Sequence, residues 1–137
     1  MYRVLVSENI AEEGVSLLTE QSEVQVDVCA GLTPEQLKEV LPKYDALITR
    51  SATKVTRELI GSATRLQVIG RAGVGLDNID VEAATARGIA VVNAPSGNTV
   101  AAAEHTIALM LALARNIPRA HQSMSHGRWE RSAFVGV

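Results

Sequence analysis

Ala46-Leu-Ile-Thr-Arg-Ser-Ala-Thr-Lys-Val55 and, further on, Leu66-Gln-Val-Ile-Gly-Arg-Ala-Gly-Val-Gly-Leu-Asp-Asn-Ile-Asp80 are the stretches that decide how this chain folds. Each opens with a short apolar run and then breaks into a polar or glycine-rich turn. That is the pattern of a buried parallel strand feeding a loop at its carboxyl end, the edge at which open α/β sheets hold their ligands. Arg50 and Arg71 stand at these two strand ends beside glycine-rich backbone. The pair reads as half of a binding site for a small anion.

Working outward, strands and helices alternate from the first residue. Arg3-Val-Leu-Val is a buried strand, and Asn9 followed by Glu12 predicts a helix start, with Ala11, Val15 and Leu18 on one face. Val24-Gln-Val-Asp-Val alternates like a second strand. Thr33-Pro-Glu-Gln combines a capping threonine, a proline at the first helical position and a glutamine three residues past the cap, so a helix follows with Leu37, Val40 and Leu41 on its apolar face. Ala46–Thr49 is the third strand, Thr56 to Ile60 a short helix, and Leu66–Ile69 the fourth strand, ending at Gly70. Asp80 caps a helix through Ala86 that Gly88 stops, and Ile89-Ala-Val-Val is the fifth strand. Five such units with short connections imply a parallel sheet covered by helices on both faces.

The last third reads differently. From Asn98 a long helix runs to Arg115, apolar on nearly every side, and Pro118 is expected to kink or restart it before Gly127 and an irregular tail. A five-stranded domain covers only one face of such a helix. The other face calls for a partner domain or subunit.

Composition narrows the function. The chain has 137 residues, 47% apolar, with 13 basic and 15 acidic side chains, enough for a core and too balanced for a broad nucleic-acid or membrane-binding field. The lone cysteine, Cys29, excludes an internal disulfide and a multi-cysteine metal site, which fits a reducing cytoplasm. The amino terminus reads as a strand and not as a signal peptide, and Val100 to Ala114 is too short to span a bilayer. A cytoplasmic protein is expected, with no metal site.

Candidate ligand-binding residues collect at the predicted strand ends. Arg50 offers a bidentate fork, Ser51 a hydroxyl, and the turn around them free backbone N–H groups. Arg71 lies at the next strand end, followed by Gly73, Val74 and Gly75. These glycines do not make a dinucleotide fingerprint, because Asn78 stands where the third glycine belongs and the strand before them is the fourth. Their reading is positive φ and close approach of backbone to a ligand. Asn98, Thr99 and Thr106, on the first turns of the long helix, are further candidates, with simple capping by Asn98 the alternative. Glu104 and His105 point about 100° apart on a helix, and no histidine has a nucleophile or metal partner at useful spacing.

With these residues in view, the chain resembles the D-isomer-specific 2-hydroxyacid dehydrogenases, in the branch that oxidises 3-phosphoglycerate. The resemblance runs through Leu47–Thr56, Leu66–Thr85, Val92-Asn-Ala-Pro-Ser-Gly-Asn-Thr99 and Gly127-Arg-Trp-Glu-Arg131. It implies a single flavodoxin-like substrate-binding domain over residues 1–137. That domain has a three-layer α/β/α core over 1–97, a parallel sheet in the order 2-1-3-4-5, and a long helix and tail over 98–137. It implies that Arg50 and Ser51 face the substrate, that Arg71 helps with its phosphate, and that the Gly73–Val74–Gly75 backbone holds its carboxylate. Val74 and Thr106 would approach the nicotinamide of NAD, the 98–126 helix would carry a homodimer, and Trp129 and Arg131 would reach the neighbouring subunit's site. In the family the Rossmann cofactor domain and the catalytic arginine, glutamate and histidine lie beyond the position of Val137. No catalytic residue is therefore expected here, and the chain is expected to be inactive alone.

Two other classes remain beside this one. A non-catalytic flavodoxin-like signalling or cofactor module is disfavoured by Ser7-Glu8-Asn9 after the first strand and Thr49-Arg50 after the third, where a receiver needs acids and a flavodoxin a hydroxyl-rich loop. A self-association module would use the exposed helix.

Overall fold

The computed structural model describes residues 1–137. Five strands, β1 (Tyr2–Val6), β2 (Val24–Val28), β3 (Ala46–Thr49), β4 (Val68–Arg71) and β5 (Ala90–Asn93), form one sheet in the order β2-β1-β3-β4-β5. Every neighbouring pair is parallel. Helices α1 (Glu12–Thr19), α2 (Pro34–Val40), α3 (Arg57–Ser62) and α4 (Val81–Ala86) connect the strands and cover both faces, as crossover connections require.

The register explains the core. Leu5, Leu47 and Ile69 lie side by side across β1, β3 and β4, and all three are fully buried. Leu41, Ile60 and Ala84, also fully buried, come down on them from the helical side. Each large aliphatic residue of this set contributes about 1.5–3 kcal/mol by leaving water.

The capping box at Thr33 forms in full: Gln36 N donates to Thr33 Oγ1 at 3.3 Å, and Thr33 N donates to Gln36 Oε1 at 2.9 Å. Asp80 caps α4 by accepting from Ala83 N at 2.8 Å, and Gly88 ends the element at φ 69°. Asn9 does not cap α1; the helix starts after Ala11 with no side-chain bond, because the carboxyl-edge loop carries Asn9 too far upstream. The fourth strand runs two residues later than its apolar run suggests, which puts Gly70 and Arg71 inside the sheet. Arg71 there pairs in register with Thr49 on one side and Asn93 on the other.

The chain divides into two compact units, Met1–Gly97 and Asn98–Val137. The second contains α5 (Thr99–Ala114), α6 (Ile117–Ser125) and a 3₁₀ turn at Arg131–Phe134. The break between the helices falls at Arg115–Asn116, where Asn116 adopts a left-handed φ of 53°, and the axis turns by 65°. The helix restarts at Pro118 as expected: the proline sits in the first turn of α6, where its missing N–H costs nothing. No residue of α5 is buried. Leu109, Met110 and Leu113 remain 57%, 64% and 81% exposed. No single helix is long and apolar enough to cross a membrane, although the bent pair α5 and α6 is so when taken together.

Candidate functional site

Three consecutive strand ends meet at the carboxyl edge of the first unit. Thr49 of β3, Arg71 of β4 and Asn93 of β5 are register partners in adjacent strands, so the turns that follow them lie side by side. Arg50, Ser51, Arg71, Gly73, Val74 and Gly75 are thereby brought to one edge. Arg50 and Ser51 are exposed, and Val74 is 39% exposed.

The turn after β3 is held by a residue that the sequence did not single out. Glu8, just past β1, places its carboxylate under the turn. Its Oε1 accepts from Thr49 Oγ1, Arg50 N and Thr53 N, each at 2.9 Å, and its Oε2 accepts from Ala52 N at 3.1 Å. Burial pushes this carboxyl up, but the N–H groups of Thr53 and Arg50, the Thr49 hydroxyl and the Ala52 N–H outweigh it and hold it at about 2, against a usual 4.5. The free N–H donors expected at Arg50, Ala52 and Thr53 are consequently occupied. Only Ser51 keeps both its N–H and its hydroxyl clear of protein partners. The Arg50 side chain reaches back along the same loop, with Nη1 donating to Asn9 O at 3.2 Å.

The carbonyls of the turn are held from the opposite side. Asn78, 5% exposed, donates from Nδ2 to Arg50 O and Thr53 O, both at 2.8 Å. Its own carbonyl accepts from Val55 N at 2.8 Å. Asn78 thus bonds to a loop other than its own. Asn78 couples the Arg50 turn to the glycine turn, and its Oδ1 stays buried without a partner.

The glycines act through the space they leave, not through backbone conformation. None of Gly70, Gly73 and Gly75 has positive φ, contrary to the expectation. A Cβ on Gly73 would land within the Arg71 guanidinium, whose Cζ lies 2.8 Å from that point, and a Cβ on Gly75 would meet Asp77 Oδ1 at 2.8 Å. Arg71 therefore folds over Gly73, its Nε buried with no hydrogen-bond partner, and its charge has no carboxylate beside it. Asn93 fixes the turn from β5 by donating to Val74 O at 2.6 Å, and Ala94 N donates to Gly73 O at 3.0 Å. Neither Asn93 nor Glu8 stood out in the sequence; the only signal was a polar residue directly after a strand.

This turn does not fit a dinucleotide pyrophosphate. The clefts over Gly73 and Gly75 hold a guanidinium and a carboxylate of the protein itself, and the next helix opens on the capped Asp80 carboxylate, which repels an anion. No histidine forms an ion pair; His126 Nδ1 lies 2.8 Å from Gln122 O in its own helix. The edge carries two arginines and no histidine.

In the second unit, Asn98 precedes α5 with no side-chain cap bond, so simple capping does not account for it. Thr106 Oγ1 donates to Ala102 O at 2.7 Å, turned into its own helix. Trp129 is 76% exposed, and both it and Arg131 border a cleft with Met124 and Phe134. Arg119 stands 5.8 Å from the Phe134 ring centre, and buried Ser123 donates to Glu130 Oε2 at 2.6 Å.

Comparison with known proteins agrees with this architecture. Residues 4–133 match the family described as D-isomer specific 2-hydroxyacid dehydrogenase, catalytic domain. The chain is 52% identical over all its residues to D-3-phosphoglycerate dehydrogenase of Synechocystis sp., covering 24% of that protein, and 53% identical over 98% of its length to the Archaeoglobus fulgidus enzyme, covering 25%. It therefore spans about a quarter of the length of these curated relatives. Among solved structures, a Thermus thermophilus protein superposes with a TM-score of 0.86 at 31% identity, over 98% of this chain and 45% of that one. The NAD⁺-bound 3-phosphoglycerate dehydrogenase of Entamoeba histolytica superposes with a TM-score of 0.72 at 29% identity, over 83% of this chain and 39% of that one. The chain belongs to the D-isomer-specific 2-hydroxyacid dehydrogenases, through the family's catalytic domain.

Proposed function

We propose that this chain is the substrate-binding part of an NAD-dependent D-3-phosphoglycerate dehydrogenase, which converts 3-phosphoglycerate to 3-phosphohydroxypyruvate at the entry to serine synthesis. The observation that carries the reading is the carboxyl edge of β3, β4 and β5, where two arginines without carboxylate partners flank Ser51 and the Gly73–Gly75 turn. In this reading Arg50, Ser51 and Arg71 take the phosphorylated acid, the Gly73–Val74–Gly75 backbone its carboxylate, and Asn98 a further polar group. An arginine fork suits both anionic ends of such a substrate, and a ligand with two anions gains from two forks on one rigid edge. The 52% identity to a phosphoglycerate dehydrogenase over the whole chain supports this branch over other 2-hydroxyacids.

NAD belongs to the parent enzyme, with Val74 and Thr106 nearest its nicotinamide; the glycine turn supplies no phosphate loop for it. Residues 1–97 are the β/α core of the substrate domain and 98–137 its helical arm, with Trp129 and Arg131 directed to a partner subunit. The exposed apolar flank of α5 supports a homodimer through residues 98–126. The single cysteine agrees with a cytoplasmic setting.

Calorimetric titration of the 137-residue protein with 3-phosphoglycerate, D-lactate and inorganic phosphate tests the assignment. Saturable heat is expected for 3-phosphoglycerate, weakened in Arg50→Ala and Arg71→Ala, with no hydride transfer from NAD. Equal response to D-lactate, or no saturable binding, overturns the substrate assignment, and NADH production by this chain alone overturns the view that it is inactive by itself.

A further inference from the structure

The most heavily bonded carboxylate on the candidate edge belongs to the protein. Thr49 Oγ1 and the N–H groups of Arg50, Ala52 and Thr53 all converge on Glu8 within 3.1 Å. Successive backbone N–H groups turned toward one point form a concave anion receptor, the arrangement by which many turns hold phosphate or carboxylate. In this turn the receptor is filled from within. Ser51 alone keeps an open N–H and hydroxyl, with the exposed Arg50 beside it and the half-buried Arg71 on the next strand end, neither in an ion pair.

We propose that Glu8 is a positioning residue that acts as a built-in anion: it occupies the donor nest of the 50–53 turn, sets the orientation of Arg50 and Ser51, and excludes a ligand's carboxylate or phosphate from those N–H groups. The inference rests on the reading of this edge as the substrate side. Its consequence is specificity of register. An incoming anion meets Ser51 and the two guanidinium groups and cannot slide one strand over into the nest, because a fixed negative charge already stands there. Asn78 complements this from the carbonyl side, so that the turn is fixed through both its donors and its acceptors.

A role of this kind predicts chemical rescue. Glu8→Ala empties the nest while leaving its donors in place, so formate, a carboxylate small enough to enter, restores what the side chain supplied. In the 137-residue protein, Glu8→Ala is expected to bind 3-phosphoglycerate at least about tenfold more weakly than wild type. Formate is expected to recover that affinity and to raise the variant's melting temperature saturably, while leaving wild type unchanged. Glu8→Gln keeps the volume and loses the charge; its amide fills the nest, so it is expected to bind weakly with no response to formate. Wild-type affinity in a folded Glu8→Ala or Glu8→Gln overturns the proposal, as does a weakened Glu8→Ala that formate neither stabilises nor restores. Should Glu8→Ala fail to fold, wild-type affinity in Glu8→Gln overturns the proposal and weakened affinity supports it. If wild type itself does not bind 3-phosphoglycerate, the substrate assignment fails, and the formate-dependent rise in melting temperature of Glu8→Ala still decides the nest.

Discussion

Asn78 lets the coupling between the two turns be measured as a number. Its Nδ2 makes two 2.8 Å bonds to the carbonyls of Arg50 and Thr53 at a site only 5% exposed. Asn78→Ala removes both; at about 1 kcal/mol net for each, the loss is about 2 kcal/mol. Against this stands Oδ1, buried with no partner, a penalty of about 1 kcal/mol that the truncation lifts. The net expectation is a destabilisation of about 1–2 kcal/mol.

Asn78→Asp preserves shape and reverses polarity, setting a carboxylate oxygen against the same two carbonyls. It should cost more, about 3 kcal/mol or more at neutral pH, because a buried charge then lacks donors. Its native-state pKa is raised, so the deficit is complete above that value and shrinks as the pH falls toward the unfolded value of about 4, where the protonated acid again donates to a carbonyl. Urea unfolding followed by circular dichroism gives the free energies. Amide hydrogen exchange at Val55, whose N–H bonds to Asn78 O, reports the first unit alone. Asn78→Ala within 0.5 kcal/mol of wild type, or Asn78→Asp no worse than Asn78→Ala, refutes the clamp.

Two further outcomes test the same edge. Glu8 is held at about 2 in the folded chain, so its stabilisation is complete above its usual value of 4.5 and is lost as the pH falls through about 2. The stability of wild type should therefore converge on that of Glu8→Gln across this window in acid-unfolding curves, and a constant difference down to the lower limit contradicts the assignment. Gly88→Ala, at φ 69° with open space around the new methyl, should cost about 1 kcal/mol through backbone strain. Gly73→Ala should cost less, because its methyl meets only the movable end of Arg71, and the reverse order in chemical denaturation would show that the glycine turn is not spaced by that side chain.

Much of this protein was legible because local chemistry repeats along it. The capping box at Thr33, the cap at Asp80 and the stop at Gly88 depend on residues within a few positions of one another, and all three form as their spacing dictates. The five apolar runs announced five strands for the same reason. One local signal misled: Asn9 looked like a cap, yet Ala11 opens α1. The left-handed Asn116 leaves little trace in sequence, whereas the proline at which the helix restarts is conspicuous.

The sequence by itself determined the class of fold, the strand ends that carry Arg50 and Arg71, and the family to which they belong, because periodicity and short motifs are written in neighbouring residues. Only the tertiary structure decided what fills the site. Glu8 and Arg50 stand 42 positions apart, and Asn78 and Arg50 28, so no window on the chain brings them together. Parallel pairing of β1 with β3 and of β3 with β4 does so, at 2.9 and 2.8 Å. The donors that the sequence left open for a ligand are closed by a carboxylate from the end of the neighbouring strand β1. What the 50–53 turn keeps for a ligand is Ser51 and the Arg50 side chain.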